Sequence, residues 1–183
     1  MARIPQITSK ADLPADKQSI FDAITQSRGR IVGPFGILLN SPEVAGRVAH
    51  LGHYLRFDSV LPADIRELAI LTTARQMDSQ YEWTAHVPLA LQAGVRQEAI
   101  DAVGQRTAPA GLTPDEAMVV RFGQELWQQH QVSDTTFQSV LARFGKQGIT
   151  ELTTLMGYYS MVACVLNTFA VPLEPNVQPL LPR

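Results

Sequence analysis

Cysteine is almost missing from this chain: its 183 residues include one, Cys164. A single thiol cannot close an intrachain disulfide, form a CxxC redox pair or build a Cys-rich zinc site. It lies in the apolar run at 161–166, which reads as packing rather than reactivity and predicts a buried Cys164. Charge is also scarce. Charged residues make up 17% and apolar residues 45%, so part of the surface is expected to be covered, most simply by another copy of the chain. The net charge is −2, and lysines and arginines are scattered. Phosphate backbones need clustered cations, so nucleic acid is not an expected partner. No uninterrupted apolar run reaches the roughly 18 residues of a membrane span. Residues 1–17 are polar and lack the apolar centre of a secretory signal. A cytoplasmic protein without a membrane or nucleic-acid partner is the expectation.

What is present is helical. The length suits one domain with a sizeable core. Residues 1–17 read as an irregular arm, followed by a short helix over 15–25 with Ile20, Phe21 and Ile24 on one face. Gly29, Gly33, Pro34 and Gly36 predict a loop over 29–36. Ser41-Pro42-Glu43 is a helix start, after which Val44, Val48, Leu51 and Leu55 recur at helical spacing. A second start at Pro62 leads a helix to about Gln76. Met77-Asp78-Ser79 is a short connection, with Ser79 placed to cap a helix over 80–93 that Gly94 stops. Pro88 lies inside that helix and predicts a kink. Further helices are expected over 97–103, from Thr113-Pro114 to about 130, from Ser133-Asp134 to about 144, and over 149–169, the longest and most apolar. The tail, 171–183, holds Pro172, Pro175, Pro179 and Pro182 and should run extended along the body or a neighbouring subunit. With no alternating strand pattern, the fold class is all-α, a bundle around a central antiparallel helix pair.

The chemistry concentrates between Pro62 and Gly94. Glu67 interrupts the apolar stretch IRELAIL, so it either turns outward or is buried with a partner, where it would suit proton transfer. Glu82 and His86 stand at i, i+4 on the next helix and share a face. They are either an ordinary exposed pair or part of a pocket, and the interleaved Tyr81 and Trp83 favour the pocket. Two antiparallel helices joined by a short turn would set Glu67 opposite both, so that two carboxylates share one imidazole. His50 and His53 lack a third ligand, so no metal site is expected. Tyr158 and Tyr159 read as core or interface residues.

The strings RELAILTTAR, YEWTAH and LALQAGV resemble the carboxymuconolactone decarboxylase family, which includes the AhpD-like alkylhydroperoxidases. The flanking GPFGILLNSPEVA, LGHYLRFDSVLP and FGKQGITELTTLMGYYSMVACVLNTF extend the likeness over roughly residues 33–172. The resemblance implies an AhpD-like helical bundle that forms homo-oligomers (dimers, trimers or hexamers). AhpD-like members carry a glutamate, a CxxC pair and a histidine that relay a proton to a redox thiol. The glutamate matches Glu67 and the histidine matches His86, while the two cysteine positions fall on Ser79 and Glu82. Without thiols there, thiolate attack followed by disulfide formation is excluded.

What remains resembles the decarboxylase side of the family. The resemblance implies a cofactor-independent lyase acting on a small cyclic or unsaturated, lactone-type carboxylate, with a place in aromatic-compound degradation. Glu67, Glu82 and His86 would be catalytic. Arg47, Arg56 and Arg75 are candidates to hold a substrate carboxylate, and Tyr81, Trp83, Arg47 and Arg75 form the expected substrate-binding set. Two alternatives stand beside it: an AhpD-like peroxidase, which the missing CxxC argues against, and a non-catalytic helical oligomer that binds ligands.

Overall fold

The computed structural model describes residues 1–107 and 111–182; Arg183, the last residue of the expected tail, lies outside them. Among the described residues there is no strand. They form two compact units, one of Met1–Asp58 with Cys164–Val177, the other of Ser59–Ala163 with Gln178–Arg183.

The first unit contains α1 (Gln18–Arg28), α2 (Pro34–Leu38), α3 (Pro42–His53) and a π-helical turn, Tyr54–Asp58. The region read as an arm is tied down in part: it carries two 3-10 turns, Lys10–Asp12 and Ala15–Lys17, and the Ile7 N–H donates to the Gly36 carbonyl at 2.8 Å. The expected loop over 29–36 is broken by α2. Gly33 turns the chain at φ 57°, Pro34 supplies the preset φ of a first helical residue, and Phe35 and Leu38 enter a core with Leu13, Ile24, Ile31, Leu39, Ala45 and Ala49.

In α3 the buried stripe is made of small residues, Ala45, Ala49 and Gly52, while Val44 and Leu51 stand exposed. Helix α1 comes close at one neighbouring position, where a Cβ on Gly46 would sit 3.3 Å from Ile20 Cγ2. Cys164 also departs from expectation, for it is exposed. Its neighbours Val162, Ala163 and Leu166 take the buried stripe of their helix, and the helical period turns Cys164 away from it.

The second unit contains α4 (Ala63–Gln76), α5 (Gln80–Gln92), α6 (Gln97–Gln105), α7 (Pro114–Gln129) and most of α8 (Asp134–Thr168). Helix α4 packs against α5, α6 and α7 and is therefore buried on most sides, with Ile65 and every residue from Leu68 to Ala74 buried. Its two buried hydroxyls are satisfied locally: Thr72 donates to the Leu68 carbonyl at 2.8 Å and Thr73 to the Ala69 carbonyl at 3.0 Å. Helices α4 and α5 are the central antiparallel pair. Helix α5 continues through Pro88 and ends before Gly94, which adopts φ 94°.

Thr113 and Glu116 form a reciprocal capping box at the start of α7. The two helices expected over 133–144 and 149–169 meet at Gly145, whose φ of 69° and ψ of −178° interrupt α8. By length and composition α8 would cross a membrane, yet more than half of its apolar window is buried in protein, the pattern of a core helix. Buried Glu151 secures the entry to α4, accepting hydrogen bonds from Ser59 Oγ (2.6 Å), the Val60 N–H (2.9 Å) and Gln147 Nε2 (2.8 Å).

Two glycines test this packing. A Cβ on Gly123 of α7 would lie 2.6 Å from Thr72 Cγ2 and 3.1 Å from Met156 Cε, whereas one on Gly157 of α8 meets nothing within 4 Å. Gly123→Ala is expected to destabilise the protein by about 1–3 kcal/mol through overpacking. Gly157→Ala should be neutral or stabilising by about 0.5–1 kcal/mol, because it removes backbone freedom from the unfolded chain. Denaturant unfolding of both variants measures this; equal stabilities would remove the claimed close approach of α7 to α4.

Candidate functional site

Glu67 sits in the second turn of α4 and faces α5. Helix geometry then dictates the rest: Glu82 and His86, one turn apart on α5, present their side chains to the same side. His86 Nδ1 lies 2.7 Å from Glu67 Oε2, and His86 Nε2 lies 3.4 Å from Glu82 Oε2. The side chains are 7% exposed for His86, 14% for Glu67 and 6% for Glu82. Tyr159 of α8 meets the imidazole edge-on, with ring centroids 5.1 Å apart and planes at 87°, and Tyr158 packs on Tyr159.

Burial on its own would lower the pKa of His86. The hydrogen bonds and charges of Glu67 and Glu82 outweigh it, and the group is pushed up to about 9. At neutral pH the ring is therefore an imidazolium with both N–H groups donating. The two sides differ: Nδ1–H makes a short charge-assisted hydrogen bond, while the 3.4 Å contact at Nε2 is a loose one.

The other expected site residues have settings of their own. Arg75 of α4 donates to the Gly104 carbonyl at 2.6 Å and pairs with Asp78. Arg47, in the first unit, is exposed and pairs with Glu43 at 2.8 Å. The guanidinium of Arg56, in the π-helical turn, stands 5.1 Å from the Phe57 ring centroid. Trp83 is buried, and its Nε1–H donates to the Leu180 carbonyl at 3.1 Å, so its polar edge serves the tail. Tyr81 is half-buried. Among the described residues no group of three or more His, Cys, Asp or Glu side chains could hold a metal ion.

One further residue emerges, which the sequence placed as a cap and at the position of a family cysteine. Ser79 occupies the N-cap position of α5 but makes no capping hydrogen bond. Its Oγ is fully buried and has no partner among the described residues. A lone buried hydroxyl is uncommon, since burial without a partner costs about 1–3 kcal/mol. The available signal was spacing: Ser79, Glu82 and His86 fall at i, i+3 and i+7, one stripe of the helix.

The elevated His86 pKa has a measurable consequence. With a folded pKa of about 9 against 6.5 for the free side chain, its contribution to stability is fully present below pH 6.5 and is lost as pH rises through about 9. Ring-proton NMR of His86 should give a midpoint near 9, and Glu67→Gln should lower it. A midpoint at or below 6.5 would refute the clamp.

Residues 42–125 match the carboxymuconolactone decarboxylase family. No curated protein matches the chain. Among solved structures it is similar to a peroxidase-related protein with an alkylhydroperoxidase AhpD core from Ralstonia eutropha, at 17% identity and TM-score 0.77, covering 98% of each chain. It is similar to a protein of unknown function from Agrobacterium tumefaciens, at 17% identity and TM-score 0.66, covering 78% of this chain and 99% of that one. A third is a variant of the debrominase Bmp8 in complex with 2,3,4-tribromopyrrole, at 10% identity and TM-score 0.72, covering 94% of this chain and 91% of the other. Residues 42–125 thus resemble the carboxymuconolactone decarboxylase family, and the chain has the AhpD-like all-α fold and carries no CxxC pair.

Proposed function

We propose that the chain is a cofactor-independent, carboxymuconolactone decarboxylase-like enzyme in which His86 delivers a proton to carbon on a small cyclic or unsaturated, lactone-type carboxylate. The observation that carries this reading is the asymmetry of the imidazole clamp. Glu67 grips Nδ1 at 2.7 Å and orients the ring, while Nε2 stands 3.4 Å from Glu82 and keeps a proton that is only loosely held. A group at about 9 is loaded with that proton at neutral pH.

The chemistry follows from this arrangement. When the substrate carboxylate leaves as CO2, the electron pair of the broken C–C bond spreads through the adjacent double bond onto the lactone carbonyl. The Nε2–H proton is then transferred to the carbanionic carbon, leaving a neutral imidazole that solvent reprotonates. The enolate-like oxygen needs a hydrogen-bond donor in a dry setting. The buried, unpartnered hydroxyl of Ser79 suits that task, and its position on the Glu82–His86 stripe supports it. The single cysteine weighs against a dithiol peroxidase.

Self-association belongs to the same reading. Val44, Leu51, Tyr54 and Phe57, along α3 and the π-helical turn, are exposed apolar side chains of the kind that partner subunits cover.

With carboxymuconolactone as substrate and CO2 release as readout, His86→Ala should lose at least about 100-fold in rate with the fold retained by circular dichroism, the scale of a missing general acid. The rate should fall as pH rises through about 9, where the donor loses its proton. Ser79→Ala should lower kcat about 10–100-fold, as for one lost oxyanion donor, without lowering Tm, because no intramolecular bond is broken. Undiminished turnover in His86→Ala would sink the proposal, and thiol-driven peroxide consumption would replace it. Light scattering should give a mass above the monomer at micromolar concentration; a strict monomer would remove the self-association.

A further inference from the structure

A second stripe of α5, turned away from Glu82 and His86 around the helix, holds another constellation. Gln80, Trp83 and Thr84, at i, i+3 and i+4, share one side of the helix and meet the chain segment 178–182. The contacts are with backbone. Trp83 Nε1–H donates to the Leu180 carbonyl at 3.1 Å, and the Leu180 N–H donates to Thr84 Oγ1 at 3.1 Å. With its amide oxygen turned to the donors around it, Gln80 accepts from the Leu181 N–H at 2.9 Å and from Thr84 Oγ1 at 2.8 Å. Trp83 and Thr84 are buried, at 2% and 4% exposure; if the segment departed, Trp83 Nε1 would lose its acceptor and Thr84 Oγ1 its backbone donor, keeping only Gln80.

Side-chain selection comes from shape. Leu180 points outward and is exposed, while Leu181 is half-buried. Pro182 sits over Gly104 of α6, where an added Cβ would be 3.1 Å from Pro182 Cγ and 3.1 Å from Trp83 Cζ2. The missing side chain at position 104 is therefore what gives the proline ring its place.

We propose that this α5–α6 surface is a recognition site for an extended Leu-Leu-Pro segment, filled by the chain's own residues 180–182 and able to accept the same segment from a second copy. Capture rests on main-chain hydrogen bonds, as in other modes that bind extended peptides, with the open place at Gly104 for the proline ring. The cis segment holds the site by its high effective concentration, so a copy in trans enters only when the cis segment is displaced. This inference is independent of the chemistry at His86.

The test uses the full chain and a fluorescent peptide of residues 178–183. Leu180→Pro removes the N–H that Thr84 receives, so the cis segment should disengage and the peptide should bind this variant at least tenfold more tightly than wild type. Leu180→Ala changes only an exposed side chain, so that variant should exclude the peptide as wild type does. A peptide carrying Leu180→Pro should bind at least tenfold more weakly to the opened chain, and Trp83→Phe in the opened chain should weaken the unmodified peptide to a similar extent. If Leu180→Pro misfolds, a protease site placed between Glu174 and Val177 gives the same information: after cutting, the fragment should stay bound through gel filtration. Binding that is indifferent to Leu180→Pro in the peptide, absence of binding to the opened chain, or loss of the cut fragment would each overturn the proposal.

Discussion

One imidazole held between two carboxylates is the constraint on which the second unit depends. Burying ions is costly, and the cost is offset only when partners and geometry are supplied together. Glu67 and Glu82 supply charge from two sides, and His86 turns what would be a repulsion between two buried carboxylates into a chain of attractions. Removing one partner from such a buried set typically costs about 3–5 kcal/mol, because the remaining charge is stranded. The cluster therefore requires α4 and α5 to stay in register, and the surrounding packing secures this. Helix α4 is enclosed by α5, α6 and α7, and Tyr159 closes the imidazole from α8.

Helix α5 serves two purposes on two faces. One stripe carries Ser79, Glu82 and His86; the other carries Gln80, Trp83 and Thr84, which hold the tail. A helix near 3.6 residues per turn separates such stripes without any irregularity, so thirteen residues suffice for both. Each face also satisfies polar groups that burial would otherwise penalise. The exception is Ser79, whose hydroxyl remains without a partner among the described residues, while both ring nitrogens of His86 face a carboxylate. An unsatisfied buried donor on the helix stripe that carries His86 is the kind of local cost that proteins retain where a ligand will complete it.

Much of the architecture could be read before any coordinates. The Pro-type starts at Pro42, Pro62 and Pro114 lie at or next to observed helix starts, and the central pair α4–α5 follows from two periodic segments and a three-residue connection. Misreadings arose where local punctuation competed with packing. Three glycines and a proline over 29–36 looked like a loop, yet Phe35 and Leu38 had a core to enter, and burial drew a short helix from the loop. Cys164 looked buried because its run is apolar, but a helix exposes some of every apolar run. Val44 and Leu51 looked like a core stripe, while the buried side of α3 is taken by Ala45, Ala49 and Gly52.

The sequence by itself determined the helical class, the absence of dithiol chemistry and the shared face of Glu82 and His86, because each depends only on composition or on spacing within one helix. Tertiary structure alone decided that Glu67 turns inward to meet His86, that Trp83 faces the tail and that the Ser79 hydroxyl is sealed without a partner. Each of these is a question of which neighbour arrives from a distant part of the chain, and local periodicity carries no information about that.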